Sequence, residues 1–143
     1  MTDSTETIEQ TLRISAQPET VWRYWTDPKF ICEWWGSSAE LDPLPGGICR
    51  VEMESGPIMR GEFIELIPHE RIVFSFGWEP AEENPLLSPG STQVEVTLVA
   101  DGNDTIMTLR HSGLPSTHSK DHESGWTHYL EILAKVAGTT TQG

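Results

Sequence analysis

Between residues 48 and 111 the chain reads as runs of period two divided by turns and one long loop, and one long stretch of helical period follows. Segments 48–54, 58–67 and 71–78 read as successive strands, divided by Ser55-Gly56-Pro57 and Pro68-His69-Glu70, connections short enough for antiparallel hairpins. Val94, Val96 and Leu98 alternate with Gln93, Glu95 and Thr97. Asp101-Gly102-Asn103 then turns the chain into Thr105, Met107, Leu109 and His111, which share one parity. Over residues 119–137, Trp126, Leu130, Leu133 and Ala137 mark a single stripe, widened by Tyr129 and Val136, with Asp121 and Glu123 favouring the helix start. Gly138 suits a stop, and residues 139–143 read as a frayed tail. A sheet with one apolar face and a helix with one apolar stripe must bury them against each other, so the long helix is expected across a curved sheet.

The N-terminal third supplies the remaining elements. Ile8, Gln10, Leu12 and Ile14 share a parity, giving a first strand over about 8–15. Residues 18–36 hold four of the six tryptophans in a helix-compatible segment. Pro18 suits a first helical position, Glu19 complements the helix dipole, and Val21, Trp22 and Trp25 fall at helical spacing. Thr26 or Asp27 caps a second short helix in which Phe30, Ile31 and Trp34 recur before Trp35-Gly36 stops it. Ala39 and Leu41 suggest a short strand, and residues 43–47 a turn. Residues 79–90 carry three prolines and three acids and read as a long loop that borders a pocket mouth. The order defines an α+β fold in one domain over residues 1–143, its core at about 8–138.

Several local patterns follow one another in a family-like order: Pro18-Glu19-x-Val21-Trp22, Thr26-Asp27-Pro28, Trp34-Trp35, Pro45-Gly46-Gly47, Gly61 with Ile67-Pro68 and Arg71-Ile72-Val73-Phe74, His111-Ser112-Gly113-Leu114, and Gly125-Trp126. Together they resemble the stand-alone domains similar to the activator of the heat-shock-protein-90 ATPase, within the START-like (SRPBCC, Bet v 1-like) helix-grip superfamily. The resemblance covers about residues 8–138. It implies a helix-grip fold, in which the sheet curves round the C-terminal helix and leaves a cavity between them. It assigns no catalysis to His111.

The chain has 143 residues and a net charge of −13. A length near the modal domain size buries roughly 68–70% of its unfolded surface in one core. The charge argues against nucleic-acid backbones and anionic membrane surfaces as partners, because polyanions repel it. No run approaches the roughly 20 apolar residues that span a bilayer, and residues 1–10 resemble no signal peptide, so a cytoplasmic location is expected. Cys32 and Cys49 are expected as reduced thiols.

Phe74, Phe76 and Trp78 share one strand face, which places them towards the cavity. Trp25, Trp34, Met107, His111, Trp126 and Tyr129 complete the expected ligand-binding set, although aromatics at regular spacing also serve as plain core. His111 ends an apolar parity set and should point inward, either to a ligand or to backbone partners. Gly125, inside the last helix, costs roughly 1 kcal/mol relative to alanine, and close packing against the first helical segment is the expected reason, with ligand approach the alternative. His118 and His122 stand four apart, yet no third ligand or HExxH pattern accompanies them, so no metal and no cofactor are expected. Glu62 and Glu65 have opposite parity, so one of them is expected inside. The other acid pairs read as solvated. No G-x-S-x-G, P-loop or dinucleotide fingerprint is present.

Three functions compete on these grounds. The first is binding of a small hydrophobic or aromatic molecule between sheet and long helix, with no catalytic residue. The second is an enzyme of the cyclase or hydrolase type found among helix-grip relatives, with His111 and either Glu65 or Arg60 as its acid–base group. The third is a chaperone cofactor, disfavoured because relatives of that type carry an additional N-terminal domain that this chain lacks. A monomer and a homodimer are equally compatible with the sequence.

Overall fold

The computed structural model describes residues 5–141, with side chains to residue 138. Its elements are β1 (Thr5–Ile14), α1 (Pro18–Thr26), α2 (Pro28–Ile31), β2 (Ser38–Leu41), β3 (Ile48–Glu52), β4 (Ile58–Ile67) and β5 (Arg71–Phe76). Then come β6 (Trp78–Glu79), a 3-10 turn (Ala81–Glu83), β7 (Thr92–Asp101), β8 (Asp104–Pro115) and α3 (Ser119–Thr141). The strands form one antiparallel sheet in the order β1-β8-β7-β5-β4-β3-β2, with β6 beside β4. This is the α+β helix-grip arrangement: a curved antiparallel sheet, two short helices after the first strand, and one long helix at the end. Among the described residues no helix is long and apolar enough to cross a membrane.

The aromatic segment folds as its local chemistry directs for one helix and part of the next. Pro18 opens α1, and the Asp27 side chain accepts the Lys29 amide at 2.8 Å to cap α2. The second helix is shorter than its spacing suggests. After Ile31 the bonding is mixed: Glu33 N donates to Phe30 O and Trp34 N to Ile31 O in the i, i+3 pattern, and Trp35 N donates to Ile31 O in the i, i+4 pattern. The turn leaves both Trp34 and Trp35 in the core, where they are 3% and 2% exposed. The Trp34 indole N–H donates to Tyr24 O at 2.8 Å, which fastens this turn to α1. Trp25 meets Phe74 of β5 and Trp126 of α3, each with ring centroids 6.2 Å apart, so the segment packs between sheet and long helix.

Four departures from the sequence expectations have clear causes. The segment 71–78 is broken at Gly77, where a Cβ would lie 1.8 Å from Ser88 O. The loop after β6 returns over this glycine, Trp78 N donates to Leu87 O, and Leu87 is buried. In β4 the register shifts between Phe63 and Glu65, so the side chains change parity there. Glu62 and Glu65 are therefore both exposed, and neither is inside. Gly138 does not stop α3 but lies buried within it, its Cβ position 3.6 Å from the Ser15 side chain, where a larger residue would press on the chain after β1. Of the expected tail, residues 139–141 continue α3, and residues 142–143 lie outside the described residues. The hairpin expected at Asp101-Gly102-Asn103 forms, with Asp101 paired to Asp104 and Gly102-Asn103 as the turn, and the buried stripe Trp126, Leu130, Leu133 and Ala137 is as expected.

Candidate functional site

β5 and α3 touch where Phe76 meets Trp126, with ring centroids 6.1 Å apart. Beyond that contact lies a cavity of about 1340 Å³, open on one side. Phe76 and Trp78 form its sheet wall, Trp126 and Tyr129 its helix wall, and Trp35 closes its base. Residues 53–58 and the loop at 79–89 form the rim. The walls are mainly apolar and aromatic, the usual composition of a small-molecule site, and the space exceeds the roughly 300–1,000 Å³ typical of one.

Gly125 belongs to the helix wall. A Cβ built there would meet no atom within 4 Å, so the close packing expected against α1 does not exist. The missing side chain leaves a notch in the helix, flanked by His122 and Tyr129 one turn away on either side.

Of the nine residues expected at the cavity, Phe76, Trp78, Trp126 and Tyr129 line it. Trp25, Trp34, Phe74, Met107 and His111 do not; each is at most 3% exposed and packed in the core. For Trp25, Trp34 and Phe74 the reason is that α1 and the tryptophan turn occupy the concave face at that end of the sheet, whereas His111 is covered by Phe76 and Trp126. Trp25 and Trp34 lie 4.7 Å apart in an edge contact, and Trp34 stacks on Trp35 at 5.5 Å. Sequence reasoning missed Trp35, Met53, Ile58 and Leu87 in the cavity lining. Met53 shares its parity with Cys49 and Val51, so the signal for it was present. Leu87 lies in a loop whose fold no local pattern specifies.

His111 sits behind the cavity and is completely buried. Its Nδ1 accepts the Trp126 indole N–H at 3.0 Å, which requires that nitrogen to be unprotonated. Its Nε2 then carries the proton and donates to Thr92 Oγ1 at 2.8 Å, while the Thr92 hydroxyl donates to Phe76 O at 2.8 Å. The chain of bonds is complete for a neutral imidazole. Burial, with His122 nearby, pushes its pKa down to about 3. Neither acid–base pair suggested by the sequence, His111 with Glu65 or with Arg60, is assembled: Glu65 is ion-paired with Arg71 on the outer face, and Arg60 stands at the cavity rim.

His122 does reach the cavity. Its Nδ1 donates to His118 O at 2.9 Å, and its Nε2 accepts the Trp78 indole N–H at 3.1 Å. The pair joins the sheet wall to the helix wall. Burial lowers the His122 pKa. Among the described residues no group of three or more His, Cys, Asp or Glu side chains could hold a metal ion.

Comparison with known proteins agrees with the fold. The family described as Activator of Hsp90 ATPase homolog 1-like protein matches residues 15–138. An AHSA1-like protein from Rhizobium etli, known from a solution structure, is 38% identical, with a TM-score of 0.73 over 94% of this chain and 83% of its own. A crystal structure from Mesorhizobium loti has a TM-score of 0.81 at 22% identity, covering 94% of this chain and 98% of the other. The Aha1 dimer from Colwellia psychrerythraea has a TM-score of 0.79 at 18% identity, covering 93% and 96%. These last two likenesses concern the fold alone. No curated protein matches the chain.

Proposed function

The chain belongs to the family of Activator of Hsp90 ATPase homolog 1-like proteins, and from that premise we propose that it binds a small, largely apolar or aromatic molecule in the cavity between the sheet and α3. The observation that carries this reading is Gly125. A mid-helix glycine costs about 1 kcal/mol relative to alanine, and here no neighbouring atom requires it. What it does is enlarge an aromatic-walled cavity. Trp78 and His122 supply a polar edge within otherwise apolar walls, the pattern that orients a ligand. His111, held neutral in its bonded chain behind the cavity, serves the wall rather than a reaction.

Native mass spectrometry of protein purified from its own host tests the reading. A discrete mass released on denaturation, and absent from Gly125→Leu, is the expected result. A bare chain mass, together with no shift in Tm across a broad lipophilic library, would sink it.

A further inference from the structure

One side-chain hydrogen bond joins the two walls of the cavity: the Trp78 indole N–H, on β6, donates to His122 Nε2, on α3, at 3.1 Å. Among the described residues it is the one hydrogen bond between α3 and the segment 78–89. The rest of that segment is held from the sheet side. Trp78 and Glu79 pair with Met59 and Ile58 of β4, Glu79 is ion-paired with Arg50 and Arg60, and Trp78 N donates to Leu87 O within the segment itself. Both rings are half-buried at the cavity, and the Phe76 ring lies 5.4 Å from Trp78 and 5.9 Å from His122.

The bond exists in one protonation state only. His122 Nδ1 donates to His118 O at 2.9 Å, so the ring's single proton is there and Nε2 is bare. A second proton would sit on Nε2, facing the indole N–H. An indole nitrogen donates and cannot accept, so the two walls would then present donor to donor and the bond must break. His111 meets the same conflict at Trp126, but it is completely buried and has no route to water. His122 is half-buried and borders the cavity, so its charged ring can turn into solvent without unfolding the core. The groups around it permit this. His111, 5.9 Å away on β8, stays neutral above its pKa of about 3, Phe76 and Trp78 carry no charge, and Glu79 is occupied by two arginines. Burial of the closed pair opposes the proton most, the bond to His118 O favours it, the His118 ring opposes it and Asp121 favours it. Glu83, which also lines the cavity, has the sign that favours it.

We infer that the Trp78–His122 bond is a pH-sensitive clasp on the ligand cavity: it holds the sheet and helix walls together while His122 is neutral, and it releases them when His122 takes a second proton, easing entry and exit. This rests on the ligand-binding reading above and adds a control on access. The direction follows from linkage. The closed pair holds a proton more weakly than an open, hydrated ring with its ordinary value of 6.5, so acid favours the open form as the pH falls below that value. The open fraction can gain at most about tenfold per pH unit.

Stopped-flow binding of N-phenyl-1-naphthylamine, a neutral aromatic dye, between pH 5 and pH 7 tests this in wild type, Trp78→Phe, His122→Gln and Gly125→Leu. In wild type the association rate should rise about tenfold from pH 7 to pH 5, as the open fraction grows. Trp78→Phe keeps an aromatic wall but has no donor, so association should be fast and independent of pH. His122→Gln offers Trp78 an acceptor oxygen that does not titrate, so association should be slow and independent of pH. The two variants lose the pH dependence at opposite ends, and either one suffices if the other folds poorly. His111 is present in all four proteins, so its titration cannot supply the difference. A rate that does not change with pH in wild type, or that changes equally in wild type and both clasp variants, would overturn the inference while leaving the cavity reading intact. Failure of the dye to bind wild type, or an affinity indifferent to Gly125→Leu, would overturn the cavity reading itself.

Discussion

Lowering the pH should destabilise this protein through His111, and the bonding around that residue fixes the sign. Protonation would place a hydrogen on Nδ1, where the Trp126 indole N–H already points, so two donors would face each other in a buried site. Folding therefore favours the neutral ring, and the pKa falls from 6.5 to about 3. Between those values the unfolded chain binds the proton and the folded one does not. The stability is fully present above pH 6.5 and is lost as the pH falls towards 3, with a limiting slope of about 1.4 kcal/mol per pH unit. From pH 7 to pH 5 the loss assigned to His111 is about 2 kcal/mol. Urea unfolding followed by tryptophan fluorescence at pH 5, 6 and 7 would measure it, with His111→Gln as the reference. A glutamine amide offers an oxygen to Trp126 and an N–H to Thr92 but does not titrate. His122, whose own lowered pKa works in the same direction, is present in both proteins. The wild type should lose about 2 kcal/mol more than the variant over this range. Equal losses in the two proteins would refute the argument.

Gly125→Ala should raise stability by about 1 kcal/mol in the same urea assay, because the added methyl meets no atom within 4 Å and alanine is the better helix former. Gly61→Ala should do the reverse, costing about 3 kcal/mol or more, since its Cβ would lie 1.7 Å from Ser75 O and force β4 away from β5. An aromatic disulfide reagent should titrate one thiol in the native protein and two after denaturation. Burial raises the pKa of the Cys49 thiol strongly and leaves it inaccessible, whereas Cys32 is only partly covered.

The fold was legible because most of its strands bury one face only. Parity alone located β1, β7 and β8 and the stripe of α3, and proline with an acidic cap located the start of α1 and α2. The errors fall where tertiary contact overrides local pattern. The shift in β4 turns the Glu65 side chain out beside Arg71, and alternation cannot reveal it because Ile64 and Leu66 are as apolar as strand residues that face inward. The break at Gly77 depends on Ser88, eleven positions along, closing over it. The end of α2 is an irregular turn in which Ile31 O accepts from both Trp34 N and Trp35 N, and it buries two adjacent tryptophans at once.

The site was less legible for a different reason. Parity states which side chains point into the concave face, but not which part of that face another element fills. Trp25, Trp34 and Phe74 point inward and are packed solid, because α1 and the tryptophan turn occupy their end of the sheet. Phe76 and Trp78 lie on the same face one and two steps further along, beyond the reach of that segment, and they border empty space. Glycine held the one local clue, although glycine alone is ambiguous. Gly61 and Gly77 exist because backbone atoms of Ser75 and Ser88 press on them, while Gly125 has nothing above it. A conformationally costly residue in a regular helix, facing a gap rather than a neighbour, is explained by what enters the gap. The aromatic residues of the cavity would be retained by packing alone. Gly125 would not, so the ligand's shape should be tested there first.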